Sequence, residues 1–255
     1  MSLVLFDIPR PRIGHLRLND PERLNAMGTS MAADFSTALE AARTAQVRVL
    51  VLSGSGRAFS SGGDFALLEE RPRHSMSENR AFMLDYYQTF LAVRDLNVPL
   101  VAALQGHAVG AGACLACACD LRVAGPQARL GFSFTRLGLH PGLGITWSLG
   151  HLVGPGRASE LLLTGRHVDA QEAFQMGLVN VLADDPLAKA LELAESIAAN
   201  GPLATELLLG TLRAGLPTLA QALQAEATAQ AVNYGTPEFE AGLAAVRERR
   251  PPRFT

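Results

Sequence analysis

Ala58-Phe59-Ser60-Ser61-Gly62-Gly63-Asp64 and, about 45 residues further on, Gly106-His107-Ala108-Val109-Gly110-Ala111-Gly112 decide how this chain is read. Each follows an apolar run of strand character: Val47 to Ser53 before the first, Pro99 to Gln105 before the second. Glycine takes φ > 0 at no steric cost and carries no Cβ to hold a ligand away from the backbone. Two such turns side by side would leave free backbone N–H groups aimed at one point. Paired, aimed N–H donors are what a carbonyl oxygen needs as it becomes an oxyanion.

Working outward, Leu3 to Ile8 and Ile13 to Leu18 read as a hairpin around Pro9-Arg10-Pro11. Thr29 or Ser30 is placed to cap a helix running to about Arg43, with Phe35, Leu39 and Ala42 at helical spacing. Ser77 to Asp95 reads as a helix with Phe82, Tyr86, Phe90 and Val93 on one face. Leu100 to Leu104 is a buried strand. Gly112 to Cys119 is apolar on every side, which predicts a buried helix starting near Ala111. Its orphan N–H groups and positive dipole end would face whatever sits on the second glycine turn. Strands alternating with helices predict an α/β fold with a mostly parallel sheet. From about Pro186 the pattern is helical only: Leu187 to Ala199, Pro202 to Ala214, Thr218 to Asn233 and Pro237 to Arg247. Asn200-Gly201-Pro202 and Gly215-Leu216-Pro217 break these helices apart.

The 255 residues are 48% hydrophobic, enough for a sizeable core, and the net charge of −2 argues against nucleic acid or an anionic membrane as the main partner. The basic tail of Arg247, Arg249, Arg250 and Arg253 reads equally as a solvated helix end or as a phosphate contact. Ser2 to Ile8 lacks the features of a signal peptide, and no run reaches membrane-spanning length, so the expectation is a soluble, cytoplasmic protein. Cys114, Cys117 and Cys119, an odd count on one apolar segment, do not suggest a disulfide framework. They read as buried small side chains, and no metal is expected, because nothing supplies the other half of a zinc site.

Taken together, the two glycine turns resemble the signature segments of the enoyl-CoA hydratase/isomerase (crotonase) family, roughly A-F-x-A-G-x-D and G-x-A-x-G-x-G. The resemblance continues through Asn19-Asp20-Pro21-Glu22-Arg23-Leu24-Asn25-Ala26, Leu137 to Gly144, Leu162 to Gly165, Glu172 to Val179 and Arg249 to Phe254. It implies a crotonase-like spiral of ββα units over residues 1–190 and a helical C-terminal trimerisation region over 191–255, in a homotrimer or a dimer of trimers. It implies an acyl-CoA thioester as substrate, with no permanently bound cofactor and coenzyme A entering as part of the substrate. Carried over by position, the oxyanion donors are the N–H groups of Gly63 and Ala111. The substrate would also meet Arg23 and Leu24 of the N-terminal segment, Ala58, Ser60, Ser61, Gly62, Asp64 and Phe65 of the first motif, and His107, Val109 and Gly110 of the second. Phe134 would face the acyl group.

Other readings of the same turns are weaker. Gly110-Ala111-Gly112 opens like a dinucleotide fingerprint, but Leu115 stands where its third glycine belongs. Gly54-Ser55-Gly56 does not supply a nucleophile elbow. Asp64 could act as a base, but within the family it organises the turn.

The chain departs from its family at the groups that move protons. The hydratase glutamates in G-x-G-C-E and F-G-x-P-E align with Cys114 and Phe134, and the aspartate that some isomerases carry in P-D-x-G aligns with Gly142. Hydration needs one group to activate water and one to deliver a proton. Cys114 in an apolar helix should be inert. His140 and His107 remain as titratable groups beside the motifs, His140 as the candidate catalytic residue; Glu69, Glu70 and Asp85 have no positional support. The name implied is enoyl-CoA hydratase or isomerase. The alternatives are a crotonase-fold enzyme of different chemistry, such as thioester hydrolysis, decarboxylation or ring cleavage, or a non-catalytic acyl-CoA binder.

Overall fold

The computed structural model describes residues 2–254. Six strands form the main sheet: β1 (Val4–Arg10), β2 (Ile13–Leu18), β3 (Val49–Gly54), β5 (Leu100–Leu104), β7 (Leu121–Ala124) and β10 (Val181–Leu182), in the order β1-β2-β3-β5-β7-β10. All neighbours run parallel except the β1/β2 hairpin. A second sheet, β4-β6-β8-β9, is built from three-residue strands: β4 (Ala58–Ser60), β6 (His107–Val109), β8 (Arg129–Gly131) and β9 (His167–Asp169). Each of β3, β5 and β7 thus feeds a short strand in the second sheet, and the chain winds on through a helix to the next pair. This is the expected α/β spiral. The second sheet was not foreseen, because three residues are too few to show a period of two.

The helices are α1 (Thr29–Thr44), α2 (Phe65–Glu70), α3 (Met76–Leu91), α4 (Ala111–Ala118), α5 (Ile145–Val153), α6 (Pro155–Thr164), α7 (Ala170–Gln175), α8 (Pro186–Ala198), α9 (Pro202–Ala214), α10 (Leu219–Tyr234) and α11 (Pro237–Arg247). The cap expected at Thr29 or Ser30 is instead Gly28, extended and without a side-chain bond. A Cβ at Gly28 would lie 2.7 Å from Asp64 Oδ2, so the first glycine turn dictates glycine there. Helix α3 begins under Ser75, whose hydroxyl and Glu78 form a reciprocal capping box. It stops at Leu91, short of the expected Asp95, and tightens into a 3-10 turn over Ala92–Leu96.

Alternation along β5 explains the layers. Leu100, Ala102 and Leu104 face one core with α1, α3 and α4, while Val101 and Ala103 face a second core under α8. Burying each such leucine is worth about 1.5–3 kcal/mol. Helix α8 spans residue 190, and its buried Ala190 and Ala194 pack on the sheet. Beyond it, α9 is tied down by Arg213, which donates to Asp120 at 2.6 and 3.0 Å and to the carbonyls of Arg94 and Val98. On α9 to α11, Leu208, Leu212, Leu219, Leu223, Tyr234 and Val246 are exposed. No helix among the described residues is long and apolar enough to cross a membrane.

One polar cluster is buried against α8. His15 Nε2 lies 2.7 Å from Ser53 Oγ, and its Nδ1 lies 3.4 Å from Asp7 Oδ1. Burial pushes the His15 pKa below 6.5, outweighing the pull of Asp7 in the other direction, and Arg17 adds to the lowering. The unfolded chain therefore takes up this proton first as pH falls. The stability held by neutral His15 is present above about pH 6.5 and is lost as pH drops from there through the folded pKa. The thermal midpoint is expected to fall between pH 7 and pH 5, and His15→Gln is expected to flatten part of that slope. His167, shifted in the same direction by burial, supplies part of the remainder. A slope identical in His15→Gln would exclude His15 from it.

Candidate active site

The first turn leaves β4 at Ser60, which is wholly buried. Its hydroxyl donates to the Asn25 carbonyl at 2.8 Å and accepts from Gly62 N at 3.1 Å. Segment 24–27 clamps the turn: Ser61 N donates to Leu24 O, Met27 N to Gly62 O and Asp64 N to Met27 O. Leu24 and Asn25 are left-handed, and buried Asn25 donates to the carbonyls of Ser55, Ala58 and Phe59. With its neighbours so committed, the Gly63 N–H finds no acceptor among the described residues. A Cβ on Gly63 would meet nothing within 4 Å.

The second turn leaves β6 at Val109. Gly110 N donates to Gly131 O at 2.8 Å, and Gly110 O accepts the first bond of α4 from Cys114 N at 3.0 Å. Gly110 sits at φ 53°, ψ −123°. Ala111 is the first residue of α4, so its N–H is one of the helix's orphan donors at the positive end of the dipole.

The turns are in contact. A Cβ on Gly62, at φ 99°, would lie 2.6 Å from Val109 O and 3.3 Å from Ala111 N. One on Gly112 would meet Ser60 Cβ at 2.6 Å. Only glycine lets the two backbones approach this closely. The result is two adjacent, unpaired N–H groups, an arrangement able to hold a carbonyl oxygen and the charge that develops on it.

A cleft of about 580 Å³ opens beside these turns, lined by Leu24, Arg57, Ala58, Ser61, His107, Val109 and Gln127. Five of these residues were expected from sequence; Arg57 and Gln127, on connections without a motif, were not. A hollow of about 250 Å³ across the sheet, between Arg17 and Pro186, contains none of the expected residues.

Some expected contacts have other roles. Ser60 lies beneath the turn and holds it, rather than facing a ligand. Asp64 accepts from Ala66 N at 2.9 Å as the cap of α2 and pairs with Arg23 at 2.5 Å, so it organises the turn. Phe65, first residue of α2, is 71% exposed. His140 is exposed, with Nδ1 2.7 Å from its own neighbour's carbonyl at Pro141.

At the three positions where the resemblance leads one to expect a carboxylate stand Cys114, Phe134 and Gly142. Cys114, one helical turn on from Ala111, is buried, and burial pushes its thiol well above the usual range. The Phe134 ring comes within 4.0 Å of where a Gly110 Cβ would lie. At Gly142, a Cβ would fall 2.4 Å from the hydroxyl oxygen of Tyr87. The sequence pattern did not single out Tyr87: the helical face that was read runs through its neighbour Tyr86.

Comparison with known proteins agrees with this architecture. The family model for enoyl-CoA hydratase/isomerase matches residues 10–255. A Mycobacterium tuberculosis protein named probable enoyl-CoA hydratase EchA14 is 40% identical over 254 residues, covering 96% of this chain and 98% of its own. The crystal structure of enoyl-CoA hydratase from Bacillus anthracis superposes with a TM-score of 0.91 at 34% identity, covering 99% of this chain and 98% of the other. That from a Polaromonas species gives 0.92 at 30% identity, covering 99% of both. The fold is therefore crotonase-like. The chain belongs to the enoyl-CoA hydratase/isomerase family.

Proposed function

We propose that this family enzyme binds an acyl-CoA thioester with its carbonyl oxygen between the N–H groups of Gly63 and Ala111, and stabilises the enolate formed there. The observation that carries this reading is the pair of abutting glycine turns that leave those two donors unpaired. Coenzyme A arrives as part of the substrate, along the cleft that Leu24, Ala58, Ser61, His107 and Val109 line, with Arg57 at hand for phosphate. No resident cofactor or metal is invoked. Calorimetry with butyryl-CoA and with butyrate tests the reading: the thioester should bind far more tightly, and equal or absent binding of both would sink it.

The empty carboxylate positions favour a second reading within the same site. An enolate can be formed without a carboxylate base, for example by loss of CO₂ from a thioester carrying a β-carboxylate. Incubation with a panel of acyl-CoAs followed by liquid chromatography and mass spectrometry separates hydration, hydrolysis and decarboxylation by mass change, and isomerisation by a changed retention time at constant mass.

We further propose that the helices beyond α8 assemble the chain into a trimer or a dimer of trimers, which would cover the exposed leucines of α9 and α10. Light scattering should show such an assembly, and a clean monomer at micromolar concentration would contradict it. Three unpaired thiols, Cys114, Cys117 and Cys119, suit a reducing compartment such as the cytoplasm.

A further inference from the structure

We infer that the phenolic hydroxyl of Tyr87 is the group that moves a proton to and from the substrate's α-carbon. The inference rests on the enolate reading and adds to it the acid–base group that Cys114, Phe134 and Gly142 do not supply.

Tyr87 projects from α3 to the Gly142 turn, where its hydroxyl oxygen would lie 2.4 Å from a Cβ. A side chain of any size at 142 would collide with it, so the hydroxyl occupies space that the family's isomerase aspartate would need. On its other side is α4. Cys114, on the same face as Ala111, is near enough to raise the Tyr87 pKa further above the level set by burial. The hydroxyl thus lies against the Gly142 turn and within electrostatic reach of Cys114, two of the three positions where the resemblance expects a carboxylate.

Its adjacent tyrosine provides a contrast. Tyr86 is buried and donates to the Met27 carbonyl at 2.9 Å, which fixes it as part of the scaffold. Tyr87 is half-buried, and its hydroxyl has no hydrogen-bond partner among the described residues. Its hydroxyl is therefore free to meet a ligand, where that of Tyr86 is already committed. The titratable groups that act on it or are acted on by it are Cys114 on α4 and Tyr86 on its own helix.

The step balances. In the forward direction the Tyr87 phenolate takes the α-proton and becomes the phenol, the C–H electron pair moves into the C–C bond, and the carbonyl π pair goes to the oxygen held by Gly63 and Ala111. In reverse the phenol returns its proton to the α-carbon. Burial holds the Tyr87 pKa above the ordinary phenol value, so exchange should quicken as pH rises and the phenolate forms.

Deuterium incorporation at the α-carbon of butyryl-CoA in D₂O reads this step directly. Wild type should exchange. Tyr87→Phe should lose about a hundredfold or more in exchange rate, since a positioned acid–base group typically contributes 10²–10⁴-fold. It should keep its affinity for butyryl-CoA and its melting temperature. Exchange in a butyryl-CoA-binding Tyr87→Phe within twofold of wild type overturns the inference and leaves the enolate reading standing. Wild type that binds butyryl-CoA without exchanging it overturns both. Should Tyr87→Phe fail to fold, uniform incorporation of 3-fluorotyrosine keeps the shape and the hydroxyl and lowers the phenol pKa. The exchange profile should then move to lower pH, and an unmoved profile overturns the inference.

Discussion

Ala111→Pro is expected to lower turnover of the enzyme's acyl-CoA substrate by about a hundredfold or more, because losing one oxyanion donor typically costs 10²–10³. The substitution deletes an N–H and puts a ring methylene where that N–H points. The helix itself should tolerate it. Ala111 is the first residue of α4, where proline's fixed φ is acceptable and the missing N–H has no intrahelical acceptor. The preceding Gly110 is free of the restriction that proline places on bulkier neighbours. Turnover and thermal midpoint should therefore separate: the first collapses and the second barely moves. Unchanged turnover in a folded, CoA-binding variant would remove Ala111 from the site.

Hydration of crotonyl-CoA by the wild type is expected to be at least a thousandfold slower than by a family member carrying both glutamates. General acid–base groups contribute about 10²–10⁴-fold each, and here those positions hold a buried thiol and a phenyl ring. The double variant Cys114→Glu, Phe134→Glu should raise the rate on the order of a hundredfold. It should also lower the melting midpoint, because Cys114 is buried and a carboxyl there lacks partners. Loss of enoyl absorbance measures both rates. Turnover of hundreds per second by the wild type would show that another group activates water.

Much of this molecule was legible before its coordinates. The buried strand at Leu100 to Leu104, the apolar helix starting at Ala111 and the breakers between the last helices rest on local signals, and each appears where expected. The glycine turns could be placed, but their donors are backbone N–H groups whose side chains carry no trace of the role. Only the committed neighbours Gly62, Asp64 and Gly110 show that Gly63 and Ala111 are left over. What sequence could not give was proximity across the chain. Gly142 and Tyr87 are 55 residues apart, and nothing in either stretch announces that one would crowd the other. The roles of Ser60 and Asn25 were hidden for the same reason: their partners lie about 30 residues or more away. The same three-dimensional view corrects the cap of α1, where glycine was selected by Asp64 from the far side of the first turn.

The central claim is that a thioester carbonyl sits between Gly63 and Ala111. Isotope-edited infrared spectroscopy of bound acyl-CoA carrying a ¹³C-labelled thioester carbonyl reads it most directly, since two N–H donors weaken the C=O bond. The account predicts a carbonyl stretch at lower frequency in the complex than in solution, and a shift largely abolished in Ala111→Pro. A bound carbonyl vibrating at its solution frequency, or one equally shifted in the proline variant, would contradict it.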